Sequence, residues 1–169
     1  MAAFFERYFD RIFGLVYRLV GNRSEAEDLT QEIFLKVHRA AHQLDASRDP
    51  GPWLTSIAYN ACRDLWRSGA HRMARRSGSI EADPALGVRL TRGTNDPERD
   101  LLAKERSQHV LEAIARLPED LRMAVVLHEY HGMSHQEIAT LAGIHHAAAR
   151  KRYSRALATL GKMLRGSLG

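Results

Sequence analysis

A basic segment near the end of the chain has the composition of a surface that binds a polyanion. From Gly143 to Leu157 the sequence reads GIHHAAARKRYSRAL, with four basic residues, two histidines and no acidic residue. An α-helix fits the major groove of duplex DNA, where arginine pairs bidentately with guanine and alanine can touch a thymine methyl group. We therefore predict a DNA-binding helix, and the simpler alternative is a solvated basic helix. The candidate residues are His145, His146, Ala148, Arg150, Lys151, Arg152 and Arg155.

An acidic segment near the start of the chain requires a different partner. Between Ser24 and Leu35 there are four acidic residues and no basic residue. Residues three and four positions apart share a helix face, and one such face combines carboxylates with a leucine. An apolar group ringed by charge is typical of protein interfaces, so we predict a protein-docking surface, with a solvated helix face as the alternative. Its members are Asp28, Gln31, Glu32 and Leu35.

A third candidate surface combines polar and charged residues with neighbouring aromatic rings. Asn60, Arg63, Asp64 and Arg67 lie at spacings of 3, 1 and 3, and Tyr59, Cys62 and Trp66 form the adjacent stripe. Cations, polar donors and flanking rings suit unpaired nucleic acid, whose bases stack on rings or enter pockets. The alternative is that Tyr59 and Trp66 belong to the core and the arginines form local salt bridges. The candidate nucleic-acid residues are Tyr59, Asn60, Arg63, Asp64 and Arg67.

Three histidines have a spacing that metal ligands on a helix also use. His128, His131 and His135 are three and four residues apart. However, Gly132 and the helix-capping Ser134 interrupt the helix between them, and no cysteine or acid completes a ligand set. We predict no metal and no other cofactor. A metal-dependent hydrolase is the weakest alternative, because no paired carboxylate and nucleophile accompany the histidines.

Helical periodicity in the first part of the chain predicts three helices that position the acidic and polar surfaces. The first covers residues 2–20, the second extends to about residue 41, and the third covers about residues 52–68. Ser24 and Glu27 have the spacing of a capping box, which predicts that Ser24 caps the second helix. The predicted inward residues are Tyr8, Ile12, Leu15, Val16 and Leu19 of the first helix, and Leu54, Ile57, Ala58, Ala61 and Leu65 of the third.

The last part of the chain has the pattern of a helix-turn-helix motif. Helices are predicted over about residues 97–116 and 118–131, and Ser134 and Glu137 form a capping box before a short helix. Gly143 allows a tight turn, and the basic segment follows it as the last helix. The predicted inward residues of that helix are Ala149, Tyr153, Ala156, Leu157, Leu160 and Leu164.

Composition and charge set the class of protein and its organisation. The 169 residues are 44% hydrophobic and 27% charged, which indicates a globular rather than a disordered chain. We predict no membrane span and no signal peptide, and the single Cys62 fits a reducing cytoplasm. Residues 69–96 lose the helical pattern and are rich in Gly, Ser, Arg and Pro. The predicted fold is therefore all-α, with helical domains at 1–68 and 97–169 joined by a flexible linker at 69–96.

Three blocks of this sequence together resemble a known family. They are AEDLTQEIFLKVHRA, PWLTSIAYNACRDLWR and, after the linker, LPEDLRMAVVLHEYHGMSHQEIATLAGIHHAAARKRYSRAL. In this order they are similar to bacterial RNA polymerase sigma factors, most closely the extracytoplasmic-function (ECF) group, which keeps only conserved regions two and four. The resemblance covers about residues 4–68 and 98–164. It implies a non-enzymatic alternative sigma factor that binds core RNA polymerase, directs it to specific promoters and aids promoter opening.

The resemblance also implies a role for each candidate surface. Asp28, Gln31, Glu32 and Leu35 would dock to core polymerase, and the stripe from Tyr59 to Arg67 would engage the melted promoter −10 element. The basic helix would bind the −35 element as duplex. An anti-sigma factor is implied as a further partner, and the site of action would be the bacterial cytoplasm, at the nucleoid. A free-standing helix-turn-helix regulator of duplex DNA is the alternative function.

The start of the basic helix departs from the family pattern. Where the family usually has a serine and a Gly-Thr-Val sequence, this chain has His145 and His146 followed by three alanines. Ala149 can still face inward, but with a smaller contact than valine. The departure bears on which −35 sequence is read.

Overall fold

The computed structural model describes residues 2–45, 47–68 and 97–168. Within these residues it contains helices and no β-strand, so the all-α prediction is confirmed. The chain divides into two compact units, residues 1–80 and 81–169. The predicted linker, residues 69–96, lies outside the described residues. The α-helices are α1 (Ala2–Val20), α2 (Arg23–Arg39), α3 (Gly51–Arg67), α4 (Pro97–Arg116), α5 (Glu119–Val125), α6 (His135–Ala142) and α7 (His146–Leu168).

The first unit is a bundle in which α1, α2 and α3 all pack against one another. Its core is formed by the predicted inward face of α1, because Tyr8, Ile12, Leu15, Val16 and Leu19 are all buried. In the helices that pack against α1, Ile33 and Val37 of α2 and Leu54 and Ala58 of α3 are also fully buried. No helix in the described part of the chain is long and apolar enough to span a bilayer.

The first turn of α2 differs from the prediction. Asn22, rather than Ser24, is the N-cap, and its side-chain oxygen accepts a hydrogen bond from the Glu25 N–H at 3.0 Å. Asn22 has an extended backbone conformation, and asparagine caps at least as well as serine. The helix therefore begins one residue before Ser24, and Glu27 instead forms an ion pair with Arg23 at 3.0 Å.

The buried face of α3 is wider than the predicted stripe. Leu54, Ala58 and Ala61 are buried as predicted, whereas Ile57 and Leu65 are only half-buried. The adjacent stripe of Tyr59, Cys62 and Trp66 is buried as well. Because α3 packs against both α1 and α2, two of its stripes are covered, and this assigns Tyr59 and Trp66 to the core.

In the second unit, a buried arginine joins the end of α4 to α5. The Arg122 side chain is only 3% exposed. Its Nε donates to the Ile114 carbonyl at 3.2 Å, and its Nη2 donates to the carbonyls of Ala115 at 2.8 Å and Leu117 at 2.9 Å. These carbonyls lie at the C-terminal end of α4, where intrahelical partners run out. Arg122 therefore adds hydrogen bonds to the carbonyls at this helix end, where the Ile114 carbonyl also accepts from the Leu117 N–H at 3.1 Å.

The helix predicted over residues 118–131 changes its geometry after α5. Residues Val126–Tyr130 form one π-helical turn, which we call the π segment. Val126 and Leu127 of this segment are fully buried. The wider turn places His128 so that its Nδ1 lies 2.8 Å from the Met133 carbonyl oxygen.

The helix-turn-helix prediction is confirmed in its local details. The Ser134 Oγ accepts from the Glu137 N–H, and the Glu137 Oε1 accepts from the Ser134 N–H, both at 3.1 Å. Gly143 ends α6 in the left-handed conformation, with φ of 70°, and the Ile144 N–H donates to the Ala139 carbonyl at 3.0 Å. Such a φ favours glycine, so this residue is what makes the tight turn before α7 possible.

The inward face predicted for α7 is confirmed in part. Ala149, Ala156 and Leu160 are buried, Tyr153 and Leu164 are half-buried, and Leu157 is 44% exposed. Leu157 follows Ala156 by one residue, a rotation of about 100° around the helix axis. That rotation takes its side chain out of the contact that α7 makes with α4, α5 and α6.

Candidate interaction surfaces

The docking face predicted on α2 is exposed at all of its positions. Asp28, Gln31, Glu32 and Leu35 lie on the side of α2 opposite the buried Ile33 and Val37. Leu35 is 57% exposed, the largest exposed fraction of any large apolar side chain among the described residues. The structure therefore brings the four predicted residues together as one acidic surface with an apolar group in it. We call this set the α2 face.

An apolar groove that the sequence pattern did not predict borders the α2 face. The groove has a volume of about 600 Å³ and is formed where the start of α1 lies beside α2. The Phe5 and Phe34 rings meet edge to face, with centroids 5.0 Å apart, and Phe5 is 44% exposed. The adjacent aromatic pair Phe4-Phe5 was a usable signal, since neighbouring helix positions cannot both face the same core. The lining residues are Phe4, Phe5, Glu6, Gln31, Phe34, Leu35 and His38.

The polar residues of the stripe predicted on α3 lie at the surface, whereas its aromatic residue, Tyr59, is buried. Asn60, Asp64 and Arg67 are exposed, and Arg63 is half-buried with its guanidinium 5.9 Å from the centroid of the Tyr59 ring. Tyr59 itself is only 4% exposed. The burial of Tyr59 favours the stated alternative, in which this ring belongs to the core and offers no face on which a base can stack, and the nucleic-acid role of the stripe stays a prediction.

The basic face of α7 is exposed at nearly all of its predicted positions. His145, His146, Arg150, Lys151 and Arg155 are exposed, Ala148 and Arg152 are partly so, and Ala149 is buried beneath them. The first turn of α7 contains no acidic residue, so nothing there competes for an incoming phosphate. We call this set of seven residues the α7 face: His145, His146, Ala148, Arg150, Lys151, Arg152 and Arg155.

Among the described residues, Arg152 of the α7 face has an acidic partner within its own unit. Its Nη2 lies 3.9 Å from the Asp120 Oδ2, and the side chains of Arg152 and Asp120 are 33% and 72% exposed. An ion pair this long and this exposed contributes little to stability. Arg152 is therefore available to a phosphate group at a small cost.

Two of the three histidines that the sequence singled out form a stacked pair. The His128 and His135 rings lie 4.3 Å apart, and the Tyr153 ring contacts both. Within the described residues, no three His, Cys, Asp or Glu side chains are arranged to hold a metal ion. The spacing of His128 and His135 thus produces a ring contact between helices, which periodicity alone does not reveal.

An exposed basic helix in a helix-turn-helix, on a two-unit helical chain, defines a DNA-binding protein of the helix-turn-helix class. Residues 4–72 match the family Sigma-70 region 2, and residues 107–160 match Sigma-70, region 4. The chain belongs to the sigma-70 family of RNA polymerase sigma factors, in its ECF group. Family membership disfavours the free-standing regulator, and neither matched region describes a catalytic domain.

Relatives of known name cover both units of the chain. RNA polymerase sigma factor CarQ of Myxococcus xanthus is 36% identical over 160 residues, which are 95% of this chain and 86% of that protein. The ECF RNA polymerase sigma-E factor of Escherichia coli is 32% identical over 151 residues, 89% of this chain and 78% of that protein. Among solved structures, the sigma factor RpoE, in complex with the anti-sigma factor NepR from Bartonella quintana, has a TM-score of 0.72 over 98% of both chains. At 21% identity, that likeness shows the fold alone.

Proposed function

We propose that the chain is an alternative sigma factor that binds core RNA polymerase, directs it to specific promoters and aids promoter opening. The observation that carries the proposal is one chain presenting an acidic face with a leucine on α2 and an acid-free basic face on α7. A DNA-binding protein alone has no use for the first face, and a protein-docking module has no use for the second. Both faces lie within the matched sigma regions.

We assign core polymerase to the α2 face. Asp28 and Glu32 attract basic groups of the partner, while Leu35 and the adjoining groove at Phe5 receive an apolar side chain. This arrangement combines an apolar centre with a charged rim, as protein interfaces do. Burial of the exposed Leu35 and Phe5 supplies affinity, and the carboxylates supply orientation and partner choice.

We assign the melted −10 element to the polar stripe of α3. Asn60 and Asp64 offer hydrogen-bonding groups to the edges of unpaired bases, and Arg67 offers a cation to the backbone. Arg63 adds a half-buried guanidinium beside them. With Tyr59 in the core, recognition at this stripe depends on polar contacts rather than on stacking upon that ring.

We assign the −35 element to the α7 face. Arg150, Lys151 and Arg155 reach phosphates or base edges, and the small Ala148 lets the helix approach the groove closely. His145 and His146 stand at the helix start, the part of a recognition helix that contacts base edges. Their presence in place of the usual family residues gives this chain its own −35 preference.

The domain boundaries we propose are 1–68, 69–96 for the linker and 97–169. The chain acts as a specificity subunit and not as an enzyme, and the polymerase supplies the chemistry. It functions in the bacterial cytoplasm at the nucleoid, and an anti-sigma factor is its expected inhibitor.

The decisive experiment is binding of the purified chain to bacterial core RNA polymerase. We expect tight binding that is lost in Asp28→Lys/Glu32→Lys. The control Asp10→Lys/Glu112→Lys makes the same change of charge outside the α2 face, and it should bind like the wild type. If the wild-type chain binds duplex DNA but not core polymerase, the proposal is refuted and the alternative function, a free-standing transcriptional regulator, is favoured.

A further inference from the structure

Three aromatic side chains from three elements meet in the second unit. His128 lies in the π segment, His135 begins α6 and Tyr153 lies on α7. The two imidazole rings are stacked with centroids 4.3 Å apart and planes only 12° from parallel. The Tyr153 ring lies 4.6 Å from His128 and 4.9 Å from His135. We call this set the imidazole clasp, because it joins α7 to the π segment and to α6.

Hydrogen bonds fix the clasp at both ends. The His128 Nδ1 lies 2.8 Å from the Met133 carbonyl oxygen, and since a carbonyl only accepts, this nitrogen carries the proton in neutral His128. The Tyr153 hydroxyl donates to the Glu129 carboxylate. That hydrogen bond, together with burial and the Glu129 charge, raises the pKa of Tyr153. Tyr153 therefore stays protonated over the range in which histidine side chains ordinarily change charge.

The surroundings of His135 oppose its protonation. Burial lowers the pKa of His135 first, and the positive charges of His128, His146 and Arg150 lower it further. Of these, His128 faces it from the π segment, and His146 and Arg150 from α7. Glu129, an acid beside the clasp, already accepts the Tyr153 hydroxyl. Two imidazolium rings at the observed stacking distance repel each other.

We propose that the imidazole clasp is an acid-sensitive switch, closed when at least one imidazole is neutral and opened by protonation of both. Linkage gives the direction of the pH effect on stability. Because the pKa of His135 is lower in the folded chain than in the unfolded chain, the unfolded chain binds more protons. The stability that the clasp contributes is therefore present above the unfolded pKa and is lost as the pH falls through the folded pKa. Opening the clasp releases α7 from two of the elements that orient it. This regulation goes beyond the proposed function, and its first test does not depend on that function.

The test compares thermal unfolding of the full-length wild type, His135→Phe and His128→Phe between about pH 5 and pH 8, where imidazole titrates. Phenylalanine keeps a flat ring at each position but cannot be protonated. Helical circular dichroism reports both units, whereas Trp53 and Trp66 both lie in the first unit, so tryptophan fluorescence isolates that unit. The transition that appears in circular dichroism but not in fluorescence is the unfolding of the second unit. On acidification its melting temperature should fall by about 4–8 °C more in the wild type than in either variant. The exposed His109→Gln is the control and should retain the wild-type pH dependence.

The proposal would be overturned if the melting temperature of the second unit depended on pH equally in the wild type and in both phenylalanine variants. Should a variant fail to fold, the imidazole proton resonances of the wild-type chain decide the matter. A coupled titration of His128 and His135, with two steps that belong to the pair, supports the switch, and two independent titrations refute it.

Binding to a −35 duplex should weaken on acidification more in the wild type than in His135→Phe. If the wild-type chain does not bind DNA even at neutral pH, this would count against the proposed function, and the unfolding experiment would still test the switch.

Discussion

The α2 face and the α7 face differ in what each removes from water when it binds. The α2 face has a 57% exposed leucine beside a groove of about 600 Å³, with carboxylates around it. The α7 face has cations and histidines over small alanines, and the exposed Leu157 is not part of it. Binding at the first face buries apolar area, whereas binding at the second exchanges counterions for protein charges.

Because of this difference, we expect substitutions and salt to affect binding at the two faces differently. An interface held by an apolar contact depends on the shape and size of a few side chains and changes little with salt. An interface held by cations tolerates the loss of one side chain better but weakens steeply as salt rises. The two faces of one chain should therefore respond to different perturbations.

The largest expected effect comes from placing a charge in the apolar part of the α2 face. Leu35→Asp should weaken binding to core polymerase by about 100-fold, or about 3 kcal/mol, because it removes an apolar contact and buries a carboxylate. Binding to a −35 duplex should be unchanged. Equilibrium binding of the fluorescently labelled chain to core polymerase measures the loss. Leu157→Asp is the matched control, since Leu157 is an exposed leucine of the other unit. Wild-type affinity for polymerase in Leu35→Asp would contradict the proposed apolar contact.

A single cation of the α7 face should have the next largest effect. Arg150→Ala is expected to weaken binding to the −35 duplex by about 1–3 kcal/mol if Arg150 reads a base edge, with polymerase binding unaffected. Lys162→Ala, an exposed cation further along α7, should weaken it less. Titrations against the cognate duplex and a scrambled duplex distinguish the two kinds of contact. An equal loss on both would mean that Arg150 contacts phosphate only.

Salt should separate the two faces without any substitution. For duplex binding, the logarithm of the affinity is expected to fall with the logarithm of the salt concentration by about 0.9 for each phosphate neutralised. Docking at the α2 face should have a much shallower slope, because its apolar contact is not screened. Duplex binding that does not respond to salt would contradict the electrostatic role of the α7 face.

The smallest expected effect concerns the cation that already has a partner. Asp120→Asn removes the acid 3.9 Å from Arg152 and should strengthen duplex binding by about 0.2–1 kcal/mol, since an exposed ion pair is worth no more than that. Filter binding at low salt has the sensitivity for this change. If the affinity falls instead, Asp120 helps to position Arg152 rather than competing for it.

Sequence patterns predicted the features that a few neighbouring residues determine. The capping box at Ser134, the tight turn at Gly143 and the inward face of α1 each depend on contacts within one or two turns of helix, and all three are confirmed. The exposed sides of α2 and α7 followed from the same periodicity. The roles given to those residues stay predictions, because exposure does not name a partner.

Features that depend on how helices pack were missed. Periodicity could not decide whether Tyr59 faces solvent, because α3 is covered on two stripes by two different helices. The groove at Phe5 and the stacking of His128 on His135 both join residues of separate helices. Even the N-cap of α2 shifted to Asn22, since two good capping residues lie close together and the backbone conformation selects one.

Arg122 sets a limit on how the corner between α4 and α5 can vary in length. One side chain reaches back to the carbonyls of Ile114, Ala115 and Leu117, from a position five to eight residues later. Inserting or deleting a residue between Leu117 and Arg122 would turn the guanidinium about 100° away from those oxygens. All three hydrogen bonds would then be lost at once. The corner is therefore a poor place for a tag or a grafted peptide, even though Pro118 and Asp120 within it are exposed.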